Sequence, residues 1–138
     1  MTNKKSGTNF ENELCEKLSE GGFWCRLMYP ALDGSQPFDV MAIDRTGHLY
    51  CIECKDCQND VFPLNRVENN QEISLSNLIN NFMLEDRVLF AFKTSVGIYI
   101  VVARKVLHLI FLSGFEKGNK SIKLNDIQKM RNDFKKVY

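Results

Sequence analysis

No stretch of this 138-residue chain is long, apolar and free of charge. The best candidate, Ile98 to Leu112, is cut by Arg104, Lys105 and His108, so it does not read as a membrane span, which needs about 20 largely apolar residues. The opening Met1-Thr2-Asn3-Lys4-Lys5-Ser6-Gly7 is basic but is followed by no apolar region, so it does not read as a secretory leader. Histidine is scarce: His48 and His108 are the two present, and both read as ordinary residues in or beside strands. There is no Ser-His-Asp arrangement, phosphate-cradling glycine loop or His-Glu-x-x-His string, which removes the usual signatures of triad hydrolases, P-loop enzymes and zinc peptidases. A large charge of one sign is missing too. The net charge of +1 argues against a protein that coats nucleic acid by bulk electrostatics. The expectation is a soluble, cytoplasmic protein with no membrane partner.

Five cysteines are an odd count without an export signal, so a disulfide framework is not expected. Cys51, Cys54 and Cys57 have a spacing that invites a zinc test. On a strand, however, Cys51 and Cys54 point to opposite faces, and the chain offers no second cysteine pair downstream. Buried or half-buried thiols are the plainer reading.

What the chain has is an ordinary globular balance, 44% hydrophobic and 25% charged, in a length that suits one domain with a real core. Its charge is unevenly placed. Residues 1–104 hold 10 Lys+Arg and 14 Asp+Glu, a net −4, whereas residues 105–138 hold 8 and 3, a net +5. An acidic body beside a basic segment fits an enzyme that grips phosphates with one part and holds a cation with another; a solvated helix face is the bland alternative.

The spacing predicts a helix from Phe10 to about Ser19, capped by Thr8 or Asn9, with Phe10, Leu14 and Leu18 inward and Glu11 and Glu13 in its first turn. Gly21-Gly22 should stop it. Phe23 to Tyr29 reads as a strand, residues 30–37 as a loop, and Phe38 to Ile43 with Leu49 to Lys55 as a hairpin around Asp44-Arg45-Thr46-Gly47. A second helix should cover Glu68 to about Phe82, with Ile73, Leu75, Leu78, Ile79 and Phe82 as its buried stripe. Arg87 to Lys93 and Gly97 to Ala103 read as strands, Val106 to Leu112 as a further strand extending the sheet, and Lys123 to Lys136 as a terminal helix with Ile127, Met130 and Phe134 inward. No repeat, low-complexity tract or linker interrupts this order. The long connections, 30–37 and 56–67, both border the candidate site.

That site rests on Asp39, in Pro37-Phe38-Asp39-Val40, and on the strand ending Glu53-Cys54-Lys55. Alternation sends Glu53 and Lys55 to one face and Ile52 and Cys54 to the other. If Asp39 pairs across the hairpin, two carboxylates and an ammonium converge, the minimum set for metal-assisted phosphodiester hydrolysis. Oxygen ligands suit Mg²⁺, with Mn²⁺ as a substitute. Asp39 and Glu53 would hold the ion with the Cys54 carbonyl, and Lys55 would stabilise charge at the phosphorus. The plain alternative is a surface hairpin with solvated carboxylates, Lys55 merely pairing with one of them.

This order of elements, with Asp39 and Glu53-Cys54-Lys55, resembles the PD-(D/E)XK nuclease superfamily, and most closely its RecU and archaeal Holliday junction resolvases, over roughly residues 4–104. Lys5-Ser6-Gly7-Thr8-Asn9-Phe10-Glu11 is similar to the opening of those enzymes, Gly34-Ser35 ahead of Pro37-Phe38-Asp39 to their small-residue loop, and Phe62-Pro63-Leu64 followed by Gln71 to the RecU pattern. RecU enzymes carry a stalk before the site aspartate; here only Pro30 to Phe38 fill that gap. The resemblance implies a restriction-endonuclease-like αβββαβ core with a central mixed sheet and an added C-terminal strand and helix. Residues 1–138 would form a single domain, with its core at about 8–104 and a basic extension at 105–138.

It further implies a Mg²⁺-dependent endodeoxyribonuclease acting on branched DNA in recombination or repair, as a homodimer; a restriction-type or nicking enzyme and a catalytically silent DNA-binding relative are the alternatives. Glu11 and Gln71 would join Asp39, Glu53 and Lys55 in catalysis. Glu11 has a plain alternative as a favourable charge at a helix start, and Gln71 as a solvent-facing glutamine. Lys4, Lys5, Ser35, Arg66, Lys129, Arg131, Lys135 and Lys136 are candidates for the DNA backbone. The compact size would suit a phage or mobile-element enzyme.

Overall fold

Residue 2 begins a helix whose buried stripe is Phe10, Leu14 and Leu18, so the expected periodicity holds, but the helix, α1, runs Thr2–Glu20 in this computed structural model. The structure describes residues 2–30, 32–33 and 36–131, with side chains for all of these except 2–8, 58, 115, 116 and 119. Thr8 and Asn9 therefore lie inside α1 rather than capping it. Glu11 and Glu13 are mid-helix, and no acidic residue occupies the first turn. Gly22, at φ +97°, ends the helix: the Phe23 N–H returns to the Leu18 carbonyl at 3.0 Å. A Cβ there would also stand 2.8 Å from the Arg45 guanidinium, so glycine serves both the turn and the close approach.

Five strands form the main sheet in the order β1 (Trp24–Leu27), β2 (Val40–Ile43), β3 (Leu49–Asp56), β5 (Val88–Thr94), β6 (Gly97–Val102). β1, β2 and β3 are antiparallel neighbours, β3 and β5 run parallel, and β5 and β6 form a hairpin. The mixed sheet follows from the connections. Short turns allow hairpins, while the passage from β3 to β5 contains β4 (Val61–Pro63) and α2 (Asn69–Asn81), long enough for a parallel return. Asp44 fixes the β2–β3 turn: its carboxylate accepts from the Thr46 N–H (2.9 Å), Thr46 hydroxyl (2.7 Å), His48 N–H (2.9 Å) and Tyr50 hydroxyl (3.1 Å).

Alternation divides the sheet into two apolar faces. Val40, Ala42, Tyr50, Ile52, Leu89 and Ala91 pack with Phe10, Leu14 and Leu18 of α1. Phe90, Phe92 and Val101 pack on the other side with Leu75 of α2, Val106 and Ile110 of α3 (Ala103–Ser113), Phe62 of β4, Ile122 of β7 (Ser121–Lys123) and Ile127 of α4 (Leu124–Met130). β4 and β7 pair as a separate two-stranded sheet.

Further expectations change. Val106 to Leu112 is not a strand but part of α3: Ala103, Val106 and Ile110 are buried at helical spacing, and an apolar run this short fits either period on sequence alone. The C-terminal strand is Ser121–Lys123, outside the main sheet. On α2, Leu75 is buried and Leu78 and Ile79 half-buried, but Ile73 and Phe82 are exposed. Ile73 and Leu75 stand about 200° apart on a helix and cannot share one stripe. α4 spans Leu124–Met130 with Ile127 inward; Phe134, Lys135 and Lys136 lie outside the described residues. No helix among the described residues is long and apolar enough to cross a membrane.

Candidate active site

Asp39 is held at the start of β2 by its backbone. Its N–H donates to the Ile52 carbonyl at 3.0 Å, and its carbonyl accepts from the Met28 N–H at 2.9 Å. Side-chain contacts complete the clamp: Oδ2 accepts from the Cys54 N–H at 2.8 Å, and Oδ1 from the Gln36 amide at 2.6 Å. Asp39 thus bridges from β1 across to β3, beside Glu53. Gln36 was not singled out from the sequence, although its position three residues before Asp39, in the loop abutting the motif, is the signal that could have drawn attention to it.

Glu53 and Lys55 share the face of β3 that Phe90 and Phe92 present on β5, since Glu53 pairs with Phe90 and Lys55 with Phe92. Both polar side chains are buried, Glu53 at 3% exposure. Burial pushes the Glu53 carboxyl well above the ordinary range. Hydrogen bonding and charge from Asp39 push the same way, and the Lys55 ammonium only partly opposes them. Glu11 reaches the same spot from α1: burial, the Asp39 charge and a hydrogen bond with Asp39 raise its carboxyl to about 7. Asp39 is therefore the middle of three neighbouring carboxyls. Because Glu11 is mid-helix, the helix-start explanation for its charge does not apply. Glu13 diverges as the helical geometry requires, bonding Lys93 at 2.8 Å.

The Lys55 ammonium donates to the Arg66 carbonyl and to the Gln71 Oε1, each at 3.1 Å. Among the described residues it forms no ion pair with Glu53 or Asp39, so the simple pairing expected as its plain role is absent. Gln71 is half-buried rather than solvent-facing. It sits in the first turn of α2, where its Oε1 also accepts from the Glu68 N–H, so the cap of the helix and the anchor of Lys55 are one group.

Cys54 carries its side chain on the α1 face, opposite Cys51, and all five thiols are free. Its N–H points at Asp39. A residue's N–H and C=O project from the same side of a strand, so its carbonyl also faces the Asp39 side.

The remaining candidates are dispersed. The Arg66 guanidinium donates to the Asp56 carbonyl at 2.8 Å and lies 5.3 Å from the Phe62 ring centre, exposed beside the site. Lys129 is exposed on α4, and Arg131, also exposed, bridges to Val101 of β6, away from the carboxyls. Lys4 and Lys5 lie on α1, their side chains outside the description; Ser35, Lys135 and Lys136 are outside the described residues altogether.

No family model and no curated protein sequence matches the chain. A solved structure does. Hjc from Archaeoglobus fulgidus, a Holliday junction resolvase from an archaeal hyperthermophile, is similar at a TM-score of 0.65 and 19% identity, over 95% of this chain and 98% of that one. The two proteins share a fold. It is the expected restriction-endonuclease-like one, a mixed sheet with helices on both faces.

Within this fold the donor set suits a hard cation. Among the described residues no three His, Cys, Asp or Glu side chains close on one point as a preformed cage would. Mg²⁺ rarely uses such a cage; it takes one or two carboxylates and fills the rest of its shell with water and phosphate. Carboxyls whose charged forms are disfavoured first by burial and then by their neighbour Asp39 are an incentive for a cation to enter.

Proposed function

We propose that the chain is a metal-dependent endodeoxyribonuclease of the PD-(D/E)XK type, resolvase-like, hydrolysing phosphodiester bonds in branched DNA. One observation carries the reading: Asp39, Glu53 and Glu11 gather beside Lys55, itself anchored by Gln71, in a fold shared with Hjc. Asp39, Glu53 and the Cys54 carbonyl would hold Mg²⁺, or Mn²⁺ in its place. The bound ion would supply Lewis-acid polarisation of the phosphoryl oxygen and make nearby water more acidic.

The chain's own groups do the rest. Lys55, its Nζ fixed by Arg66 and Gln71, offers a positive charge to the developing phosphorane charge without reorganising. Glu11, reaching the cluster from α1 beside Asp39, is placed to accept a proton from the attacking water. Gln36 and the Cys54 N–H keep Asp39 from rotating away. Arg66, exposed at the rim, and the basic C-terminal residues Lys129 and Arg131 contact DNA phosphates, which position without reading sequence. A four-way junction has two scissile strands related by symmetry, so the working form is a homodimer.

The test is cleavage of a labelled four-way junction beside its matched linear duplex, in Mg²⁺, Mn²⁺ or EDTA. Metal-dependent cutting that favours the junction is the expected result. Equal cutting of both substrates removes junction selectivity and leaves a nicking or restriction-type enzyme. No metal-dependent cutting of any DNA removes the enzyme.

A further inference from the structure

The single tryptophan of the chain, Trp24, is on the edge strand β1 and is 46% exposed. Cys25 and Leu27 pack on the α1 face of the sheet, so Trp24 and Arg26 project from the opposite face, the one that carries Glu53 and Lys55. The helices on that face cover β5 and β6, where Phe90, Phe92 and Val101 are fully buried. Across β1 and β2 the cover stops: Trp24 and Arg26 are exposed, and Met41 and Ile43 only half-buried. The Arg26 guanidinium lies 4.4 Å from the Trp24 ring centre and donates to the Cys25 carbonyl at 2.7 Å.

Capping that carbonyl explains the arginine, because edge strands need their free backbone groups guarded. It does not explain a large aromatic left half in water. A tryptophan backed by a guanidinium on a sheet that also bears a phosphodiesterase-type site has the character of a base-stacking platform, aromatic for the ring of a base and cationic for its phosphate.

We propose that the Trp24–Arg26 stack receives an unpaired nucleobase of the DNA strand whose phosphate lies at Asp39 and Glu53. The placement rests on the nuclease reading of those two carboxylates; the stacking surface does not. Trp24 pairs with Ile43, and Ile43 with Leu49, four positions along β3 from Glu53. Two strand spacings across and four residues along put the platform about 16 Å from the carboxylates. That is about five nucleotides at the 3.4 Å rise of a stacked strand. A fully paired duplex keeps its bases inside the stack and cannot offer one to Trp24. Branched, frayed or flapped DNA can, so the platform selects for unpaired bases near the cut.

Trp24 reports its own occupancy. Its fluorescence is titrated with oligothymidine of about ten nucleotides and with matched duplex, in EDTA so that no strand is cut, for the wild-type protein, Arg26→Ala and Glu53→Gln. Anisotropy of labelled DNA follows binding separately. The expected result is quenching by the single strand and little by duplex, with single-strand affinity about tenfold weaker in Arg26→Ala, the size of effect one lost stacking partner gives. Glu53→Gln should still show quenching at saturating strand, because the emission change arises at Trp24 and not at the carboxyls. Binding without a change in Trp24 emission, equal quenching by duplex, or no single-strand binding at all overturns the proposal. So does an emission change that tracks protein concentration without DNA, which would make this face a contact between two copies. Quenching without metal-dependent cleavage in a parallel assay would sink the nuclease reading and leave the stacking surface standing; cleavage without quenching would do the reverse.

Discussion

Lys55 is the residue on which packing and chemistry meet most closely. It is 9% exposed, yet its ammonium is satisfied by one carbonyl and one amide oxygen rather than by a carboxylate. That leaves its positive charge uncommitted for a substrate phosphate. Lys55→Ala strands the Arg66 carbonyl and takes one of two donors from the Gln71 Oε1, which keeps the Glu68 N–H, at a cost of about 1–3 kcal/mol. The loss of cleavage should be far larger in relative terms, about 10²–10³-fold in kcat. Urea unfolding beside single-turnover kinetics checks both, and a kcat loss no greater than the stability loss explains would make the lysine structural. Gln71→Ala should lower kcat by about tenfold with KM little changed, because the amide positions Lys55 without being asked to touch DNA; a change in KM alone would contradict that role.

The carboxyl cluster also sets a pH dependence in metal-free protein. Glu11 and Glu53 are raised above their unfolded values, so the folded state holds more protons than the unfolded one. Their contribution to stability is therefore full below about 4.5 and is lost as pH rises through about 7 for Glu11, with Glu53 acting in the same direction. Thermal melts in EDTA should show a lower Tm at pH 8 than at pH 5.5, and Glu53→Gln should flatten that slope. A wild-type Tm that rises over this interval would contradict the arrangement of the three carboxyls.

Among the elements, the β2–β3 hairpin was the most legible, since Asp44-Arg45-Thr46-Gly47 is a turn sequence whose aspartate has a mechanism. Burial alone would raise the Asp44 carboxyl, but the hydrogen bonds from Thr46, His48 and Tyr50 outweigh it and hold it well below the usual range. Stability from Asp44 is thus present above pH 3.8 and lost as pH falls below it. Asp44→Ala removes the acceptor for four donors and should cost about 2–4 kcal/mol, seen as a lower urea midpoint at unchanged m-value. A midpoint shifted by less than about 0.5 kcal/mol equivalent would show the turn to be held otherwise.

Helix edges and C-terminal elements were less legible, for identifiable reasons. Residues 2–9 contain no apolar stripe, so periodicity could not extend α1 back from Phe10, and Thr8 and Asn9 looked like caps because capping residues are also tolerated inside helices. Val106 to Leu112 is apolar enough for either period, and its neighbours decided between them. The site was legible in its strand half, where alternation alone put Glu53 and Lys55 together. Gln36 was not, because it acts only through a fold in which its loop closes on Asp39.

At the scale of the whole molecule, the described part of the basic segment, residues 105–131, is built into the core. Val106, Ile110, Ile122 and Ile127 are buried against Phe62, Phe90, Phe92 and Val101. Truncation after Arg104 should therefore expose that face of the sheet and abolish cooperative unfolding, as circular dichroism against urea would show; a truncated chain that still melts cooperatively would contradict this. The described C-terminal lysines and arginines are carried by elements that pack on the same face of the sheet as Glu53 and Lys55, over β5 and β6.

The central claim is that Asp39, Glu53 and Lys55 form one hydrolytic centre. It is tested most directly by the single-turnover rate of Mg²⁺-dependent strand cleavage in a labelled four-way junction, with wild type and Glu53→Gln compared at equal DNA occupancy. The account predicts cutting by wild type that stops in EDTA, and a rate at least about 10³-fold lower in a Glu53→Gln protein that still binds the junction. Equal rates in the two proteins, or cutting that survives EDTA, would contradict it.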